Sequence, residues 1–319
     1  MMLSRIADSL FWMARYMERA EDTARILDVN YHMMLEQSPH AYRLRWDPLV
    51  AITGEQERFV TLYEHATPRN VFEFLAFSAE NPSSIVQCIT SVRENARTIR
   101  DRISRELWED INSLYHNVTR YHPEEEIAVG PHRFCNAIRF GSHSFHGVAD
   151  DTLPHDEGWN FLQAGRALER AEMTARIVDV EYHKLIESTA SADAADNHQW
   201  MAVLKSVAAY EFYRRQYHAG IDPALVAELL VLHAQHPRSI RFNIGVVQQS
   251  LRSISGTAPG AYADEAERLT GKLLESLRYD RIEDIFARGL HTFLTDVQKT
   301  CRSIGEHIAR TYFYYAVVA

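Results

Sequence analysis

Apolar residues recur at Leu10, Met13, Met17, Ala20, Ala24, Leu27 and Tyr31, the three-and-four spacing of one helix face. The pattern predicts a helix from near Ser4 to about Glu36, where the Ser38-Pro39 step ends it. A second helix of the same kind is expected from Asp156 to about Ser188, ahead of the small polar segment STASADAADN. The two are nearly the same sequence. Residues 14–32 (ARYMERAEDTARILDVNYH) match residues 165–183 (GRALERAEMTARIVDVEYH) at 13 of 19 positions, without a gap and at a constant offset of 151.

The repeat extends further. Thr67-Pro68 and Asn81-Pro82, then Asp222-Pro223 and His236-Pro237, each place a polar residue before a proline, as helix starts do. Between them VFEFLAFSAENPSSI matches VAELLVLHAQHPRSI at an offset of 155, which puts four extra residues in the second copy near Ser188–Asn197. A long helix is predicted after Pro82, carrying RENARTIRDRISRELWEDIN to about His116; its counterpart after Pro237 is interrupted by SGTAPGAYA at 255–263. A final helix over about Ile282–Tyr315 has no visible counterpart. No segment alternates as a strand does. The expected fold is all-α, a helical bundle of two pseudo-symmetric tandem repeats with long antiparallel helices. Repeat 1 covers about residues 1–150 and repeat 2 about 151–319, within one unit.

Composition agrees with long helices. Glycine (13) and proline (10) make up about 7% of the 319 residues, against a usual ~12%. A net charge of −9 opposes non-specific nucleic-acid binding. No apolar run approaches the ~18 residues of a membrane span. The N-terminus has Asp8, Glu18 and Glu21 and no small-residue cleavage site, so it does not read as a signal peptide. Cys88, Cys135 and Cys301 have no paired spacing and are expected to be buried thiols of a reduced, cytoplasmic protein.

Core packing would tolerate any apolar residue of the right size, so repeated charges need another explanation. On a helix stepping about 100° per residue, Glu18, Glu21, Arg25, Asp28 and His32 fall within an arc of about 80° that flanks the apolar seam. Arg19 projects about 100° away and must serve a different contact. Candidate binding residues are Arg15, Glu18, Arg19, Glu21, Arg25 and Asp28, their duplicates Arg166, Glu169, Arg170, Glu172, Arg176 and Asp179, and Arg97, which aligns with Arg252. Candidates for acid–base catalysis are Glu18, Glu169, His32 and His183. Two readings stay open, a structural ion-pair network and a polar cleft that holds a peptide, carboxylate or phosphate. Metal is disfavoured, because Arg25 sits one turn from Glu21 and His32 lies roughly 16 Å from Glu21 along the axis. No metal and no cofactor are expected.

Elsewhere, HSFHG at 143–147 supplies two histidines in a helix end or loop, either exposed or contributing to the pocket. GVADDTLPHDEGW reads as a connector in which Asp156 caps the next helix and Trp159 anchors it in the core. Arg97, Arg100, Asp101, Arg105, Glu106 and Asp110 form a mixed-charge run of the kind that faces solvent. The apolar tail TYFYYAVVA either packs on the bundle or docks a partner. No GxSxG, P-loop, GxGxxG or HExxH is present.

The repeated Glu-Arg-Ala in ALERAEMTARIVDVEYH and its earlier copy resembles the α-E family, an all-helical family named for its ER motif and typically carried as a tandem duplication. RENARTIRDRISRELWEDIN, FHGVADDTLPHDEGWNFLQAGR and CRSIGEHIARTYF extend the likeness over essentially the whole chain. The ER positions correspond to Glu18-Arg19 and Glu169-Arg170. The resemblance implies association with circularly permuted ATP-grasp amide ligases, transglutaminase-like proteins and an NTN-type peptidase, in a bacterial peptide synthesis or modification system. It does not imply what the helical protein itself does. The residues allow a non-catalytic partner of the ligase, an amide- or peptide-directed enzyme with Glu or His as acid–base and metal assistance as an option, or a purely structural scaffold. Neither nucleic acid nor membrane is an expected partner.

Overall fold

A computed structural model describes residues 2–35, 46–187, 194–218 and 220–313, with side chains at all of these except 183–187 and 194–198. The predicted helix stop at Ser38-Pro39, most of the four-residue insertion and the last six residues of the tail lie outside them. The described residues form sixteen α-helices and no strand, so the fold is all-α. They are α1 (Ser4–Leu35), α2 (Asp47–Thr53), α3 (Gln56–Leu62), α4 (Pro68–Ala76), α5 (Ile85–Thr98), α6 (Arg105–Val118), α7 (Pro123–Val129) and α8 (His132–Thr152). Then follow α9 (Glu157–Glu187), α10 (Ala194–Ser206), α11 (Tyr210–Tyr217), α12 (Pro223–Leu232), α13 (Ile240–Ser255), α14 (Glu265–Tyr279), α15 (Ile282–Arg288) and α16 (Leu290–Ile308).

The helices group into two compact units. The first holds residues 16–153 and 205–207; the second holds residues 1–15, 154–204 and 208–319. In the first unit, Met17, Ala20, Ala24 and Leu27 of α1 are fully buried, as their periodicity predicts. Its core includes Val92 of α5, Leu107 of α6, Ile138 and Phe145 of α8, and an aromatic group in which Phe134 meets Phe77 at 4.8 Å and Tyr121 at 5.3 Å. In the second unit α9 packs against α13 and α16, and α14 packs against the same two helices. Leu168 and Ala171 of α9, Val247 of α13, Leu274 of α14 and Ile304 of α16 fill that core.

Local geometry recurs at matching places in the two halves. Thr67 and Asp222 cap α4 and α12 ahead of a proline, and Ser84 and Ser239 cap α5 and α13. The Asn81-Pro82 and His236-Pro237 steps therefore do not start helices, as the sequence pattern suggested. They form tight turns three residues earlier, in which Asn81 Oδ1 accepts from Ser83 N at 2.9 Å and His236 Nδ1 from Arg238 N at 3.3 Å. Trp46 and Trp200 are buried at equivalent positions. Gly130 and Gly289 both break the chain at φ +94°, ahead of α8 and α16.

Other differences from the sequence expectation are local. The long helix after Pro82 is two, because Ser104 caps α6 through Leu107 N at 3.0 Å and its hydroxyl is held by Thr152 at 2.8 Å. Both halves thus break where only the second was expected to. The final helix is also two, α15 and α16, followed by one π-helical turn at Ala309–Phe313. HSFHG lies inside α8, since Gly147 meets no atom within 4 Å of an added Cβ and costs the helix only its own entropy. Asp156 does cap α9, accepting from Gly158 N at 2.8 Å. Trp159 is not in the core; it is half-buried and stacks on His155 at 4.2 Å. At the tail, Phe313 packs on Phe11 at 5.4 Å and Tyr312 donates to Asp264 at 2.7 Å.

One crossing in the second unit is set by backbone contact. A Cβ at Gly165 of α9 would stand 2.3 Å from the carbonyl oxygen of Phe11 in α1, and no rotamer change relieves a backbone atom. Gly165→Ala is expected to lower stability by about 2 kcal/mol or more in urea denaturation. Gly147→Ala in α8 should instead stabilise by about 0.5–1 kcal/mol.

Candidate functional site

Most of the repeated charges of α1 and α9 are buried; Arg19, Arg166 and Arg176 are half-buried. In the second unit Arg15 donates through Nε to Glu169 Oε2 at 2.6 Å and through Nη2 to Glu172 Oε2 at 3.0 Å. Arg176 closes the chain one turn on, donating to Glu172 Oε1 at 2.6 Å. Arg15, Glu169 and Glu172 are each less than 8% exposed. Gly305 of α16 leaves room for the Arg15 guanidinium, since a Cβ there would lie 3.1 Å from Nη1. The Trp12 ring covers the guanidinium at 5.2 Å. Arg166 is half-buried on α9.

The ER pair divides its labour. Glu169 meets Arg15, whereas Arg170 turns to the loop before α13 and reaches the Pro237 carbonyl at 3.5 Å. Thr174, one turn further, donates to the Arg238 carbonyl at 3.0 Å. Farther along α9, Asp179 Oδ1 pairs with His291 Nδ1 at 2.6 Å and Oδ2 accepts from Gln298 Nε2 at 3.1 Å. The side chain of His183 lies outside the described residues.

The first unit assembles a related set around α1. Glu21, 1% exposed, accepts from Arg25 Nε at 2.8 Å on one oxygen and from Ser142 Oγ at 2.6 Å on the other. The half-exposed His143 ring takes a 3.2 Å hydrogen bond on Nε2 from Arg25 Nη2, which puts the ring hydrogen on Nδ1. Buried His146 Nε2 stands 3.8 Å from Glu18 Oε2. Asp28 is gripped by α8, its Oδ1 by His132 Nδ1 at 2.9 Å and its Oδ2 by Arg139 Nη1 at 3.4 Å. His32 Nδ1 lies 2.8 Å from the Asp28 carbonyl and 3.4 Å from its Oδ1. Arg19 is half-buried over the Tyr16 ring at 5.8 Å.

Arg97 does not join either set. It is exposed on α5 and pairs with Glu94 at 2.5 Å. Of the α8 and α16 partners, His143 and His146 lie in the HSFHG segment singled out above, whereas Ser142, His132, Arg139, His291 and Gln298 were not named from sequence. A signal for them exists: His-x-Phe at 132–134 recurs at 291–293, and Arg139 and Gln298 stand at the same offset of 159.

Burial decides what this chemistry can do. Removing one partner of a buried ion pair costs about 3–5 kcal/mol, because the other charge is stranded. A surface cleft of about 810 Å³ lined by Phe59, Tyr63 and Pro68, and another of about 370 Å³ lined by Tyr217, His233 and Arg241, contain none of the repeated charged residues. Burial, with Asp28 adding, pushes the Cys135 thiol up, and burial, with Glu172 adding, pushes Cys301 up. Neither is poised as a nucleophile. Among the described residues two groupings could offer ligand atoms to a metal, Glu18 with Glu21 and His146, and Asp28 with His32 and His132, each with its atoms within 4.8 Å of one another.

These features define an all-helical protein whose duplicated Glu-Arg face is internal. The chain belongs to the Alpha-E family, described as an alpha-helical domain with a conserved ER motif, which matches residues 2–313. It is 26% identical over 318 residues to uncharacterized proteins of Mycobacterium bovis and Mycobacterium tuberculosis, covering 92% of this chain. The chain spans about a third of the length of these relatives, 34% in each case. No solved structure matches it.

His236, 4% exposed in the turn held by Arg170, titrates at about 4. Burial is the main cause, with the charges of His233, Arg238 and Arg170 adding. An unfolded histidine titrates near 6.5, so between about pH 6.5 and 4 the unfolded chain binds the extra proton. Stability is thus full above about pH 6.5 and falls with acidification, by up to about 3 kcal/mol from this group. His236→Gln is expected to flatten that part of the stability–pH curve in denaturation from pH 7.5 to 4. An unchanged slope would remove His236 as its source.

Proposed function

We propose that the chain is a non-catalytic helical component of a cytoplasmic bacterial peptide synthesis or modification system, working beside a circularly permuted ATP-grasp amide ligase and a transglutaminase-like protein. The observation that carries this reading is the burial of the repeated charges. Arg15, Glu169 and Glu172 spend their hydrogen-bonding capacity on one another, and Glu21 on Arg25 and Ser142. Groups so engaged are suited to fixing a frame and ill suited to exchanging protons with a substrate. Family membership supports the setting. In the mycobacterial relatives the matching region is joined to about twice as much further chain, which supports a module that works beside other domains.

On this reading the two copies of the ER helix, each with the helices that follow it, form one unit built by duplication. The half-exposed histidines on α8 stand at its accessible rim. The enzyme alternative needs an open acid–base group among the repeated residues, and of the described candidates His32 is the exposed one.

A tagged pull-down from the native host, read by mass spectrometry, tests the proposal. Recovery of an ATP-grasp ligase or transglutaminase-like protein is the expected result, with no amide-forming or amide-cleaving activity in the isolated chain. A chain that comes down alone and turns over an amide substrate contradicts it.

A further inference from the structure

The cluster at the C-terminal end of the α1 charged face has a different character from the buried pairs. Asp28 is 5% exposed, whereas the His32 and His132 side chains are about half-exposed, at 49% and 55%. Three ligand atoms converge there: Asp28 Oδ1, His132 Nδ1 at 2.9 Å from it, and His32 Nδ1 at 3.4 Å from it. To ligate, His32 Nδ1 must give up its 2.8 Å hydrogen bond to the Asp28 carbonyl, its hydrogen moving to Nε2. Ligands about 2.0–2.2 Å from a tetrahedral zinc stand roughly 3.3–3.5 Å apart, so a small outward shift makes room for an ion. The two rings meet edge to face with centroids 5.0 Å apart.

We propose that Asp28, His32 and His132 form a divalent transition-metal site, of the kind that takes Zn²⁺, at the accessible end of this face. Two imidazoles and one carboxylate suit such an ion, and the exposed rings give it an entry path. Asp28 Oδ2 is held by Arg139 at 3.4 Å, which orients the carboxylate and leaves Oδ1 toward the rings. Coordination through His132 Nδ1 displaces the hydrogen shared with Asp28 and puts it on Nε2. The Asn136 amide, now 2.8 Å from Nε2 through its nitrogen, then turns its oxygen inward and gives up its 3.2 Å contact with Arg139.

The Asp28–His132 pair of this set recurs in the second unit as Asp179–His291. Asp179 Oδ1 stands 2.6 Å from His291 Nδ1, with Gln298 on the other oxygen at 3.1 Å in place of Arg139. His183 follows Asp179 by four residues, as His32 follows Asp28. The other grouping, Glu18, Glu21 and His146, is a poorer site, since the Arg25 guanidinium lies 2.7 Å from Glu21 Oε1 and Ser142 holds the second oxygen. The sequence disfavours metal at Glu21, which has Arg25 one turn away and His32 roughly 16 Å along the axis; this site instead joins His32 to Asp28 and to His132, 104 residues from Asp28.

The test is calorimetric titration of the tag-free, chelator-stripped chain with ZnCl₂ at pH 7.5. Saturable binding is expected, and His32→Gln or His132→Gln should each weaken the first site at least tenfold while leaving the helical circular dichroism unchanged. Absence of saturable Zn²⁺ binding overturns the proposal. So does binding that neither histidine variant weakens, which would leave the triad a hydrogen-bonded clamp on Asp28.

Discussion

Burying a carboxylate is tolerable only when a cation and further donors go with it. Glu169 and Glu172 are inside the second unit, so Arg15 has to be inside as well, and so does the space for its guanidinium. That requirement reaches other helices. Position 305 of α16 is glycine beside Arg15, and position 301 is a neutral buried thiol. In the first unit Glu21 imposes the same condition on Arg25 and on Ser142 of α8. A wholly apolar replacement of such a network can be as stable as the original, but any single step toward it strands a charge. The residues are therefore held as a set, which explains why charges are what the two helices share.

This physics separates frame from surface. Glu18, Glu169 and Arg170 are buried, Arg19 lies half-buried over the Tyr16 ring, and Arg170 and Thr174 pin the turn before α13. Chemistry open to solvent lies beside them, on His32, His132 and His143. A module of this kind supplies shape and accessible imidazoles. The duplicated ER motif then marks the architecture, and function is sought at the rim or on a partner.

How much of this was legible in the sequence depended on range. The starts of α1 and α9 could be placed to within a residue because the apolar period is unbroken and appears twice. The caps at Thr67 and Asp222 were readable from Asx/Thr-Pro steps. The α5–α6 break was not, since the charged residues run on through it and one serine hydroxyl at 104, fixed by Thr152, decides it. Gly147 invited a loop reading, yet glycine in a solvent-facing helix position costs only about 1 kcal/mol. Conversely Gly289 does break the chain, because its backbone sits at φ +94°. The site's second half was hidden for a simpler reason. Its partners lie more than a hundred residues away, on α8 and α16, where few identities survive beyond His132/His291 and Phe134/Phe293.

The central claim is that the repeated charges act as one buried network. A double-mutant cycle on Arg15→Met and Glu169→Gln, read by chemical denaturation, tests it most directly. The claim predicts strong non-additivity, a coupling energy of about 2 kcal/mol or more, because each single change leaves a buried charge without its partner. Two single variants that each cost less than about 0.5 kcal/mol and simply add would contradict it, for that is how exposed ion pairs behave.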